Sequence, residues 1–203
     1  MIGIIDYGLG NVLAFANVFK RQNINFKIAA TPEDVLSVDK IILPGVGAFD
    51  HAMKLLNESG LREPLEIQVK QNAAPVLGIC VGMQILGTSS DEGQAPGLDW
   101  VPGRVRKFST SPDRPLRLPH MGWNDVRPTR ADKLFESLEE DGRFYFLHSF
   151  YFDCASPAHS LAVSDYPDAF SCAVRNGNIY GVQFHPEKSH HFGAQLLKNF
   201  AEL

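Results

Sequence analysis

The 203-residue chain has little sulfur with which to cross-link itself. Its three cysteines, Cys80, Cys154 and Cys172, are odd in number and irregularly spaced. That pattern excludes a disulfide framework and fits free thiols in a reducing compartment such as the cytoplasm. No apolar run approaches the roughly 20 residues needed to span a bilayer. The opening Met1-Ile2-Gly3-Ile4-Ile5-Asp6 reads as a strand rather than a signal peptide. Basic charge is not in excess: 19 Lys and Arg stand against 23 Asp and Glu, a net charge of -4. A nucleic-acid backbone is therefore a poor partner, because binding it needs a basic face. Internal repeats, low-complexity tracts and linker-like stretches are missing too, so one domain over residues 1–203 is expected.

What is present is ordinary globular material, 44% hydrophobic and 21% charged, in a chain long enough for a full core. The first half alternates apolar strands with amphipathic helices. Ile2–Asp6 reads as a strand, and Asn11 as the cap of a helix running through Lys20. Phe26–Ala29 reads as a second strand, and Thr31-Pro32 as an N-cap followed by proline in the first turn. Lys40–Leu43 is a third strand, followed by a loop and a helix ending near Ser59-Gly60. A helix around Leu65–Gln71 leads to the strand before Cys80. This alternation predicts an α/β fold with a mostly parallel central sheet flanked by helices.

The second half changes character. Gly87–Pro102 reads as a long loop. Strand-like pieces follow at Gly103–Phe108, Gly122–Val126, Phe144–Phe152, Leu161–Val163, Phe170–Arg175 and Ile179–Phe184, which add antiparallel strands. Asn176-Gly177-Asn178 is a hairpin signal between the last two. A closing amphipathic helix is expected from Gly193 to Leu203. Cys154 and Cys172 read as packing residues.

Chemistry concentrates at Gly78-Ile79-Cys80-Val81-Gly82. Glycines flanking a nucleophile let the chain turn sharply from strand to helix and push one side chain outward. A helix starting behind Cys80 would place its positive N-terminal dipole at the sulfur and favour thiolate. The alternative is a buried cysteine packed as a small hydrophobe. Near the other end, Gln183-Phe184-His185-Pro186-Glu187 reads as a strand running into His-Pro-Glu. Residues two apart in an extended segment share a face, so His185 and Glu187 are expected side by side. Cys80, His185 and Glu187 then form a candidate nucleophile, base and orienting group. A satisfied structural histidine is the alternative.

Six segments carry a resemblance that spans essentially the whole chain. They are Ile5–Asn11, Leu43–Phe49, the Cys80 elbow through Gln84, Pro119–Asn124, His148–Phe150 and Gln183–Ser189. The chain resembles the class I (triad) glutamine amidotransferases, a flavodoxin-like fold. More narrowly, it is similar to the glutaminase subunits of imidazole glycerol phosphate synthase. The resemblance implies hydrolysis of L-glutamine, with Val46 or Gly47 and Val81 as oxyanion donors. It implies glutamine binding by Gly45, Gln84, Glu92, Ser149 and Phe150, with Glu92 on the substrate ammonium. Many relatives carry tyrosine at the position of Phe150, so a role for a phenolic hydroxyl is not implied here.

The resemblance further implies a heterodimer with a cyclase subunit, a (β/α)8 barrel, to which ammonia is delivered. His120, Trp123, Tyr145 and Lys188 match positions near that family's interface. A glutaminase subunit of another synthase, or a catalytically silent activating partner, stays open as an alternative. No cofactor is implied, and no metal is expected at His185, Glu187, His190 and His191. The Asp6–Asn11 loop fails the dinucleotide-binding pattern because Leu13 stands where a third glycine belongs. It reads instead as a tight turn placed at a subunit interface.

Overall fold

The structure, a computed structural model, describes residues 1–110, 115–138 and 142–203. In its first half, strands β1 (Ile2–Ile5), β2 (Phe26–Ala29), β3 (Lys40–Gly45) and β4 (Val76–Cys80) alternate with helices. These helices are α1 (Val12–Arg21), α2 (Pro32–Leu36), α3 (Phe49–Glu58) and α4 (Arg62–Glu66). The one-turn helix α5 (Val81–Gln84) follows β4 directly. The second half contains β5 (Gly103–Lys107), β6 (His120–Asp125), β7 (Arg127–Pro128), β8 (Arg143–His148) and β9 (Phe150–Cys154). It closes with β10 (Ser160–Asp165), β11 (Ala169–Asn176), β12 (Ile179–Val182) and α6 (His190–Glu202).

Local chemistry explains where the elements begin. The Asn11 side chain accepts the Ala14 N–H at the start of α1, and Thr31 Oγ1 accepts the Asp34 N–H at the start of α2. Each satisfies one of the N–H groups a helix leaves open at its first turn. The helix expected around Leu65–Gln71 begins earlier, at Arg62, and widens into a π turn over Ile67–Gln71.

One mixed sheet orders its strands β2-β1-β3-β4-β12-β11-β10-β7, with β9 pairing β11 and β5 pairing β9. The run from β2 to β12 is parallel, and the strands beyond β12 are antiparallel. Its centre is apolar on both faces: Ile41, Ile42, Leu43, Val76 and Leu77 are fully buried, as a helix-covered parallel sheet requires. Strand β12 returns from the Gly177-Asn178 hairpin, with Asn176 paired to Ile179, and inserts beside β4.

The single strand expected over Phe144–Phe152 is two strands. β8 pairs with β6 in a separate antiparallel ribbon, whereas β9 joins the main sheet. The break falls at Ser149, between the two. Among the described residues no helix is long and apolar enough to cross a membrane.

Candidate active site

Three glycines make the elbow possible. A β-carbon on Gly82 would lie 2.0 Å from the Leu43 carbonyl oxygen, and one on Gly78 would lie 2.5 Å from the Gly82 oxygen. One on Gly45 would lie 2.3 Å from the Gly82 nitrogen. The turn after β4 is thus folded flat against β3, with Gly45 in register with Cys80. Cys80 itself sits at φ 57°, ψ −114°, a backbone region that side-chain-bearing residues rarely occupy. The expected helix does begin directly behind it, at Val81, but as a single turn. The open N–H groups of that first turn are what it offers the sulfur. What surrounds the sulfur is a set of specific polar groups.

Gln183 Nε2 lies 3.8 Å from Cys80 Sγ, and the Leu147 carbonyl oxygen lies 4.0 Å away. His185 lines the same cavity as Cys80 and is hydrogen-bonded to Glu187. The Nδ1–Oε1 distance to Glu187 is 2.9 Å. The Glu187 side chain is 4% exposed. Burial by itself lowers the His185 pKa. The hydrogen bonds and charges of Cys80 and Glu187 outweigh it and carry the pKa up to about 10. The imidazolium is the form of His185 that this arrangement favours.

His185 and Glu187 meet by a different route from the extended strand expected. β12 ends at Val182, and Pro186–Lys188 forms a 3₁₀ turn. The turn is clamped: His185 N–H donates to the Tyr145 carbonyl, and the Ser189 hydroxyl donates to the His185 carbonyl. The same hydroxyl oxygen accepts the Tyr145 N–H. The histidine is therefore held by β8, while the sulfur is held by β4.

These groups open on a cavity of about 270 Å³. Val46, Gly47, Cys80, Val81, Gln84, Glu92, Ser149, Phe150, His185 and Lys188 all line it. Gly45 does not; its place is under the elbow. The Pro44–Gly47 loop is braced from below. Tyr7, buried, donates its hydroxyl to the Pro44 carbonyl at 2.7 Å, and Gly10 packs against the Pro44 ring. Burial first, then the charge of nearby Cys80, raises the Tyr7 pKa, so the phenol stays a donor. The Asp6–Asn11 turn, expected at a subunit interface, supports this loop from within the chain.

Across the cavity, Glu92 Oε2 accepts the Phe49 N–H at the start of α3. Asp50 pins the same loop by accepting the N–H groups of Gln94 and Ala95. Gln84 is buried and donates to Gln183 Oε1 at 3.0 Å and to the Phe150 carbonyl.

Gln183 is the contributor that reading single motifs leaves out. It is fully buried and joins Gln84 to Cys80. Its position two residues before His185 was the available signal. Of the residues expected at a partner surface, Trp123, Tyr145 and Lys188 form one patch. Trp123 is 40% exposed, meets Tyr145 edge-on and stacks on His190, and Lys188 Nζ lies 5.9 Å from the Tyr145 ring. His120 differs. Its side chain is buried, facing into the molecule, because alternate residues of β6 point to opposite faces. Among the described residues no three His, Cys, Asp or Glu side chains converge to hold a metal ion.

Chemically, the cavity joins a thiol, an imidazole backed by a carboxylate, and a loop of glycines. That combination can attack a carbonyl carbon and hold the resulting oxyanion.

Comparison with known proteins gives concordant results. The family described as glutamine amidotransferase class-I matches residues 3–203. Imidazole glycerol phosphate synthase subunit HisH from Bdellovibrio bacteriovorus is 61% identical to the chain over 204 residues, covering 100% of both. The protein of the same name from Leptospira borgpetersenii is 50% identical over 204 residues, again with 100% of both covered. A crystal structure of a glutamine amidotransferase superposes with a TM-score of 0.77 at 20% identity, covering 99% of this chain and 97% of that one. A glutamine amidotransferase from Thermotoga maritima gives 0.64 at 19% identity, covering 92% and 75%.

Proposed function

The chain belongs to the class-I glutamine amidotransferases, among the HisH subunits of imidazole glycerol phosphate synthase, and from that we propose how its own residues hydrolyse glutamine and whom they serve. Cys80 thiolate attacks the side-chain carboxamide carbon of L-glutamine. The tetrahedral oxyanion is held by N–H groups of Val81 and of Val46 or Gly47. His185, protonated, gives its proton to the departing ammonia and leaves a glutamyl thioester on Cys80. The now neutral His185 takes a proton from water, which attacks the thioester; the C–S bond breaks, glutamate leaves, and Cys80 thiolate and protonated His185 are restored. Glu187 orients His185 and stabilises its charged form. Gln84, Glu92, Ser149 and Phe150 hold the amino-acid end of the substrate.

The single observation that carries this reading is that Cys80 and His185 share the wall of one cavity while Glu187 backs the imidazole from behind. Ammonia released into water largely becomes ammonium and loses its nucleophilicity. The reading therefore includes an acceptor, a cyclase subunit of (β/α)8 form, docked on the patch of Trp123, Tyr145 and Lys188, in the cytoplasm. Residues 1–203 act as one unit in it.

The test uses purified cyclase, glutamine and the ribonucleotide intermediate in a coupled assay. The chain is expected to support product formation, and Cys80→Ala to abolish glutamine turnover while still binding the cyclase. Glutamine turnover retained by correctly folded Cys80→Ala protein would refute the proposed nucleophile.

A further inference from the structure

The ribbon β6–β8 has two faces. Met121, 61% exposed, Trp123 and Leu147 stand on the outer one. On the inner one His120 and His148 face each other in register. His120 Nδ1 lies 2.9 Å from His148 Nε2. His148 Nδ1 lies 2.7 Å from the Phe150 carbonyl oxygen, and Asn124 Nδ2 lies 3.2 Å from His120 Nε2. The His120 ring is stacked between Phe146 and Tyr166.

Both ends of this chain are fixed independently. A carbonyl oxygen only accepts, so His148 Nδ1 must carry the proton. Asn124 Nδ2 donates to the Asp165 carbonyl, while its Oδ1 accepts the Asp125 N–H. The amide is thereby oriented, and His120 Nε2 must accept from it. A neutral imidazole has one donor and one acceptor. Both rings then carry their proton on Nδ1, and the bond between them runs from His120 to His148. The two ends, settled separately, agree on the middle. Burial disfavours the charged form of each ring, lowering the His120 pKa to about 4 and that of His148 to about 3.

We infer that His120 and His148 are positioning residues. They form a one-way hydrogen-bond chain, Asn124 to His120 to His148 to the Phe150 carbonyl. The chain ties the cavity wall at Ser149–Phe150 to the ribbon whose outer face the partner covers. The inference rests on the glutaminase reading above and gives that site a route by which docking sets the glutamine-binding wall. The Phe150 carbonyl also accepts from Gln84, so a shift of the ribbon reaches the residues that hold the amino-acid end.

Two measurements test it. Long-range ¹H–¹⁵N NMR of the full chain reads each tautomer directly. Both rings are expected as the Nδ1–H form, the minor one for free histidine; an Nε2–H signal for either ring overturns the inference. The second compares His120→Phe with His120→Asn in the complex with cyclase. Phenylalanine fills the stack but donates nothing, whereas the asparagine amide can replace the lost donor. His120→Phe is expected to raise KM for glutamine about tenfold, and His120→Asn to stay within about threefold of the parent. Hydrolysis of a small activated ester, which lacks the amino-acid end, is expected to be unchanged in both. Equal KM in all three proteins sinks the inference, while a parent that fails to hydrolyse glutamine sinks the underlying reading instead.

Discussion

Gly82 lies so close beneath Leu43 that a β-carbon on it would stand 2.0 Å from the Leu43 carbonyl oxygen. Neither atom belongs to a flexible side chain, so neither can step aside. Gly82→Ala is expected to destabilise the fold by about 3 kcal/mol, the upper range for overpacking. For a chain of this length that corresponds to a Tm lower by about 6–12 °C. Gly177→Ala serves as the contrast. Gly177 has φ 61° but nothing within 4 Å of the added carbon, so only about 1 kcal/mol is at stake. Equal melting temperatures for the two variants would contradict this account of the elbow.

Removing one oxygen atom from Tyr7 tests the brace under the Pro44–Gly47 loop. Tyr7→Phe keeps the buried ring and loses the bond to the Pro44 carbonyl. The stability loss is expected at about 1–3 kcal/mol, the range for a buried acceptor left unpaired. kcat should fall with it, because the Pro44–Gly47 loop loses its anchor. A lowered Tm with kcat untouched would assign Tyr7 to the scaffold alone.

Gln183→Leu separates positioning from packing. The substitution preserves bulk while taking away the donor to Cys80 Sγ and the acceptor for Gln84. KM for glutamine is expected to rise about tenfold, equivalent to about 1.4 kcal/mol of lost binding. Alkylation of Cys80 should slow in parallel, since the sulfur loses a hydrogen-bond donor. Unchanged KM and unchanged alkylation together would remove Gln183 from the site.

Acid sensitivity follows from the buried histidine pair. The pKa values of His120 and His148 fall in the folded state from 6.5 to about 4 and about 3. The unfolded chain therefore binds these protons first as pH drops below 6.5, and stability declines from there toward pH 3–4. Each histidine contributes a slope of about 1.4 kcal/mol per pH unit inside its window. His185 has the opposite sign. Its pKa is raised to about 10, so its contribution is complete below pH 6.5 and is lost as pH rises through 10. Urea unfolding of His120→Asn at pH 4.5–6.5 should show a shallower acid slope than the parent. Identical slopes would place the acid sensitivity elsewhere.

Much of this site could be read locally. Asn11 and Thr31 announce their helices because a cap is an interaction within four residues. The Asn176–Asn178 hairpin is equally local, and Gly78-Ile79-Cys80-Val81-Gly82 encodes its own turn. What escaped reading was decided at long range. The apolar run from Phe144 to Phe152 is divided between two sheets at Ser149, which depends on where β6 and β11 offer edges. Gln183 resembles any strand glutamine until β12 is inserted beside β4. His120 matched a surface position by motif, but the pleat of β6 turns it inward, opposite His148. Glu187 reaches His185 through a 3₁₀ turn stabilised by Ser189 and Tyr145, contacts that no spacing rule contains.

The left-handed backbone at Cys80 also sets a limit on how robust this protein can become. Glycine would rest at φ 57° without objection, so Cys80→Gly should fold more stably than Cys80→Ala by about 1 kcal/mol, and chemical denaturation of the two can be compared directly. The parent cysteine bears the same β-carbon strain as alanine, so selection for thermal endurance alone would favour glycine in its place. With Cys80 as the proposed nucleophile, a laboratory evolution scheme that rewards survival on heating should expect its hardiest winners to be inert.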